Sequence, residues 1–185
     1  MSKKIALLSA AAFAALALTV TVVAPVRAAE EKTVMVGGAA MFPSKNIIQN
    51  AVNSKDHTTL VAAVKAAGLV STLEGKGPFT VFAPTNAAFG KLPAGTVDNL
   101  VKPENKATLT KILTYHVVPG KLEASDLTDG KKLKTVEGEE LTVKKMDGKT
   151  WIIDAKGDSS MVTISNVNQS NGVIHVIDAV LMPAS

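Results

Sequence analysis

Three histidines, His57, His116 and His175, are the side chains of this 185-residue chain best suited to proton transfer or metal binding near neutral pH. Their spacing argues against both. No pair stands at i, i+4 on a helix or i, i+2 on a strand, the separations that bring two imidazoles to one ion. No Gly-x-Ser-x-Gly elbow presents a serine to a histidine, and Gly75-Lys76-Gly77 lacks the further glycine and the Lys-Ser/Thr pair of a phosphate loop. The chain has no cysteine, which removes thiolate nucleophiles, Cys-ligated zinc, iron-sulfur clusters, disulfides and a lipid-bearing cysteine. The expectation is a non-enzymatic protein with no catalytic residue, no metal and no cofactor. Asn168-Gln169-Ser170 matches an N-glycosylation triplet, a pattern that arises often by chance.

What remains is a set of contact side chains. His116 follows Tyr115 at the end of an amphipathic stretch, where a ring donor can satisfy terminal helix carbonyls. His175 lies inside an apolar strand, where burial demands a hydrogen-bond partner. His57, within Asn53-Ser54-Lys55-Asp56-His57-Thr58, reads as a polar helix start on the surface. Tyr115 and Trp151, the single Tyr and Trp, read first as buried anchors and second as markers of a partner surface.

The elements that must position these residues change character along the chain. From Pro43 to about His116 apolar residues recur at helical spacing, and from about Lys131 to Leu181 they alternate in short runs separated by Gly, Asp and Asn. The order predicts an α+β fold. Ser44 can cap a helix lined by Ile47, Ile48, Ala51 and Val52, and a second helix carries Leu60, Val61, Val64 and Ala67 before stopping at Gly68. Phe79 to Ala83 is a strand ended by Pro84, and Thr85 or Asn86 caps the turn of helix holding Phe89. Thr96 to Leu100 is a further short helix, and Pro103 opens the next, in which Leu109, Ile112, Leu113 and His116 share a face up to Pro119-Gly120. Asp147-Gly148 marks a tight hairpin and Asn171-Gly172 a longer one, followed by an apolar last strand from Val173 to Leu181 that reads as central.

Composition, 46% hydrophobic and 19% charged, fits one globular domain. Residues 1–28 read as an export signal: Lys3 and Lys4 precede the apolar Ile5 to Val23, and Val26-Arg27-Ala28 supplies small residues at a cleavage point. Residues 29–41 then form a flexible arm and 42–185 the domain. Of 20 basic residues, Lys3, Lys4 and Arg27 leave with the signal, so 17 face 16 acidic ones. Arg27 is also the only arginine, so the exported chain has no guanidinium fork for phosphate or guanine, and nucleic acid is not an expected partner. Lys131, Lys132, Lys134 and Lys144, Lys145 are the densest cationic groups and read as solvated surface.

Three segments carry a family resemblance: Thr80-Val81-Phe82-Ala83-Pro84-Thr85-Asn86-Ala87-Ala88-Phe89, then Leu113-Thr114-Tyr115-His116-Val117-Val118-Pro119-Gly120, then Asn171 to Pro183. In order and spacing they resemble the signature of the fasciclin domain family. The resemblance implies a wedge of two small β-sheets, sandwich-like, with helices packed around one side. It implies an extracellular, matrix or cell-surface adhesion domain whose partner is a cell-surface or matrix macromolecule, protein or polysaccharide; the export signal adds the expectation of a secreted or periplasmic chain that meets a membrane only through that signal. In animal members the Tyr-His segment is connected with integrin binding, which nominates Tyr115 and His116 as partner-binding residues. An Asp-Ile pair used by some of them is replaced here by Asn166 and Val167, and an amide lacks the charge to engage a receptor-bound cation. A few relatives outside animals bind carotenoids, so a carrier of an apolar small molecule, carotenoid or lipid, is the alternative.

Overall fold

The computed structural model of the chain describes residues 32–184. The signal expected over residues 1–28 lies outside them.

The helical half forms a series of short helices: α1 (Ile47–Ala51), α2 (Thr58–Ala67), α3 (Val70–Glu74), α4 (Asn86–Gly90), α5 (Thr96–Leu100) and α6 (Lys106–Tyr115). Local chemistry sets their ends. Asn46, not Ser44, caps α1, through a reciprocal box with Gln49. Gly68 closes α2 at φ 74°, a left-handed conformation that a side chain disfavours. Thr85 caps α4 by accepting from the Ala88 amide at 3.2 Å. Asn86 instead ties α4 to the start of α2, accepting from the Thr59 amide at 3.0 Å and donating to the Lys55 carbonyl at 2.8 Å.

Among the described residues nine strands make two sheets. The larger contains seven, β3 (Phe79–Pro84), β4 (Val117–Pro119), β5 (Lys132–Lys134), β6 (Glu140–Met146), β7 (Lys149–Ile153), β8 (Ser159–Gln169) and β9 (Gly172–Ile177), in the order β4-β3-β9-β8-β7-β6-β5. The wedge comes from β8, whose 11 residues pair with β7 at one end and with β9 at the other. Register breaks between Val162 and Ile164, and between Ile164 and Val167, bend it. The sheet curls until the Val136 amide donates to the Val117 carbonyl at 2.8 Å, so its two margins nearly close a barrel.

The central strands β3 and β9 run parallel and are covered on both faces. Val81, Ala83, Ile174 and Val176 face the helices, where they join Leu60, Val64, Leu109 and Leu113. Phe82 and Ile177 face the wedge, where they meet Tyr115, Leu127, Leu141, Val143 and Ile152. Asp147 and Gly148 both have positive φ, 52° and 72°, as the tight β6–β7 turn requires.

Two expectations are corrected. The arm at 29–41 is structured over its second half: β1 (Val34–Val36) and β2 (Ala39–Met41) pair across Gly37-Gly38 and bury Val36 and Met41 in the helix-side core. The helix expected to run toward Pro119 stops at Tyr115, because Val117–Pro119 pairs with β3.

Candidate functional site

Tyr115 and His116 stand where α6 gives way to β4, and both point inward, with 0% and 2% of their surface exposed. The Tyr115 hydroxyl donates to the Glu140 carbonyl at 3.2 Å and accepts from the Ala155 amide at 2.8 Å, joining α6 to β6 and the loop after β7. Burial, opposed by the Ala155 hydrogen bond and reinforced by the Asp154 charge, pushes its pKa up to about 12. His116 Nδ1–H donates to the Ile112 carbonyl at 2.8 Å, and Nε2 accepts from the Leu181 amide at 3.0 Å. One ring thus ends α6 and anchors the segment after β9. Neither side chain is presented to a partner, so the surface role suggested for this pair is withdrawn. Their types suit a buried junction better, since each has two polar functions that backbone groups satisfy.

The other histidines are also internal. His175 Nε2–H donates to the Leu122 carbonyl at 2.8 Å, and its ring stacks on Phe82 at 5.7 Å between centroids. His57 is buried, correcting the surface reading: Nδ1 shares a hydrogen bond with Ser54 Oγ at 2.9 Å. Its Nε2 has no partner in hydrogen-bonding geometry, although the Ala83 backbone and the Asp56 charge oppose the effect of burial. Polar neighbours in sequence concealed a ring that turns under α2.

Burial lowers the pKa of all three imidazoles, that of His116 to about 4 against the Ile112 bond that raises it. The unfolded chain therefore takes up protons that the folded chain refuses, and stability falls with pH from about 6.5 downward. For His116 alone the loss reaches about 3 kcal/mol by pH 4. Urea midpoints taken from pH 7.5 to 4.5 should hold level down to about pH 6.5 and decline below it; a profile level throughout would contradict the neutral, bonded state of the ring.

One space touches two of these histidines, His57 and His116, and a second lies apart from them. An apolar cavity of about 40 Å³ sits under α1 and α2, walled by Val36, Met41, Leu60, Val64, Phe82 and His57. An open polar cleft of about 600 Å³ lies beside the β8–β9 turn, lined by Asn46, Gln49, Glu74, Lys76, Lys121 and Ser170. Its floor is Asn171, a residue whose importance exceeds the turn signal it gave: Oδ1 accepts from the Ile47 amide at 3.1 Å, and Nδ2 donates to the Leu73 and Gly75 carbonyls at 2.7 and 3.0 Å. Asn166 sits at φ 57° on the β8 bulge and accepts from the Ala124 amide at 2.7 Å, while Val167 is buried. That pair is structural as well. Among the described residues no group of three or more His, Asp or Glu is placed to hold a metal, and no helix is long and apolar enough to cross a membrane.

The three motifs thus meet at one junction: Thr80 Oγ1 donates to the Gly120 carbonyl at 2.7 Å, the Phe82 amide to the His116 carbonyl at 2.9 Å, and Leu181 to His116. The family model described as Fasciclin domain matches residues 55–183. The chain belongs to the fasciclin domain family. Protein sll1483 of Synechocystis sp. is 51% identical over 83% of this chain and 82% of its own length. Cell surface glycolipoprotein MPB83 of Mycobacterium bovis is 38% identical over 80% of this chain and 64% of its own. Among solved structures, a FAS1 domain pair from the insect cell adhesion molecule fasciclin I superimposes with a TM-score of 0.68 at 20% identity, covering 76% of this chain and 52% of that one. The fasciclin fold, α+β with a bent sheet and helices on one side, is therefore the fold of this chain.

Proposed function

We propose that this fasciclin domain is exported and acts without catalysis in adhesion or surface interaction, with a cell-surface or matrix macromolecule as its partner. The observation that carries the reading is that the side chains best able to do chemistry, three histidines and one tyrosine, are engaged inside the fold and hold its motifs together. Contact is then left to the outer surface. A relative named as a cell surface glycolipoprotein and a structural match from a cell adhesion molecule support the same reading, as does the export-type N-terminus. The carrier alternative finds no support in the interior: small-molecule sites usually enclose about 300 Å³ or more, and the apolar cavity measures about 40 Å³.

Incubating the exported form of the chain with envelope and extracellular-matrix fractions of its native host tests the proposal. Saturable attachment that disappears on prior denaturation is expected. Absence of saturable attachment to every fraction, or co-purification of a stoichiometric pigment or lipid, would overturn it.

A further inference from the structure

The outer face of the β5–β6–β7–β8 half carries a pattern that strand register fixes. Leu133, Leu141, Val143 and Ile152 are buried in the wedge, so the residues alternating with them face outward. Trp151 stands across from Lys144 on β6 and from Met161 on β8. Lys132 pairs with Thr142, which puts it diagonal to Lys144; Lys149 pairs with Met146, which puts it diagonal to Lys144 on the other side. Diagonal neighbours on a sheet are about 7 to 8 Å apart. Three exposed lysines therefore form one oblique line over three strands, and the chain's single tryptophan, half-buried, lies beside the line. Two carboxylates belong to this face: Glu140, exposed and bridged to Lys132 at 3.4 Å, and Asp147 in the β6–β7 turn.

From this geometry we infer that the face binds an anionic polysaccharide, a uronate or sulfated chain running along Lys132, Lys144 and Lys149 with one sugar ring packed on Trp151. The inference rests on the surface-interaction reading above and names the partner class. Evenly spaced single charges in a line suit a polymer with repeating anions, whereas a small anion would need donors that converge. The lysine ammonium is a flexible point charge that accepts varied anion positions. The indole supplies a flat apolar surface with a polar edge, suited to a sugar ring's C–H face. The Lys132–Glu140 bridge is exposed on both sides and costs little to exchange. A lipid bilayer is the rival partner, but membrane-surface binding sinks apolar groups about 5 to 10 Å into the headgroup boundary. Trp151 lies mid-strand, half-buried between Lys144 and Met161, and has no such reach.

Because Trp151 is the only tryptophan, its emission reports on this face alone. Titration of the exported chain with sodium alginate should shift that emission saturably, more weakly as salt rises, and neutral dextran should leave it unchanged. The K144E/K149E variant, altered only at exposed lysines, should keep its thermal midpoint and bind alginate at least about tenfold more weakly. Equal alginate binding by the variant, or an emission change with phosphatidylglycerol vesicles and none with alginate, would overturn the inference. Saturable attachment to host fractions that persists undiminished in K144E/K149E also overturns it, and leaves the surface-interaction reading intact.

Discussion

Tyr115→Ala is expected to leave the chain largely unfolded at room temperature. Truncating a fully buried aromatic ring costs about 3 to 5 kcal/mol, and this ring is at 0% exposure in the middle of the wedge core. Loss of the hydroxyl also strands the Glu140 carbonyl and the Ala155 amide, each worth a further 1 kcal/mol or so. The sum rivals the whole stability of a domain this size. Attachment would vanish with the fold, and a Tyr115/His116 double alanine variant would imitate the loss of a recognition site. Tyr115→Phe separates the two explanations. It keeps the ring, gives up the two bonds at about 1 to 3 kcal/mol, and should attach like the parent once folded. A folded Tyr115→Phe or His116→Asn protein with abolished attachment, circular dichroism unchanged, would restore these residues to the contact surface.

The second large effect is expected at Gly172. A Cβ built there falls 2.0 Å from the Phe79 carbonyl oxygen, a backbone atom with nowhere to go because β3 is held on both edges. Gly77 is reciprocal, since a Cβ there falls 2.0 Å from the Asn171 carbonyl oxygen. Overpacking in a rigid setting costs about 1 to 3 kcal/mol and sometimes more. Gly172→Ala must also displace the Phe79 amide from the Asn171 carbonyl, a 3.0 Å bond, so a loss of about 4 kcal/mol is expected. Thermal melting reads it directly. Gly90→Ala, where nothing lies within 4 Å of the added carbon, is the matched comparison and should change little. A Gly172→Ala midpoint within a degree or two of the parent would show that the crossing of β3 over the β8–β9 turn is looser than described.

Much of this architecture was legible in the sequence where local chemistry and tertiary packing agree. Gly68 after an apolar helical face and Asp147-Gly148 between alternating runs state their structure locally, and the fold follows them; the apolar last strand expected up to Leu181 does so only in part, since β9 ends at Ile177. The β1–β2 hairpin was not legible, since strands of three residues carry too little periodicity and the Gly37-Gly38 turn stood amid residues with no other pattern. β4 was hidden for a different reason: Val117 and Val118 continue the apolar face of α6, and only pairing with β3 tells a strand from a helix tail there. At the candidate site, residue type announced that Tyr115 and His116 matter but not which way they face. Direction depends on β6 and the segment after β9, more than 20 residues distant in sequence. The lysine line was invisible for the same reason, because Lys132, Lys144 and Lys149 align only once three strands are in register.

The curled sheet has a further consequence for how the chain meets copies of itself. Open strand margins invite a second molecule to add its own strands, the first step toward fibrous polymers. Here one margin is three residues long and ends in Pro119, which has no amide hydrogen to offer, and the other bears Lys132 and Lys134, whose like charges repel an incoming copy. With Val136 already bonded to Val117 between them, neither border offers a template for self-propagation.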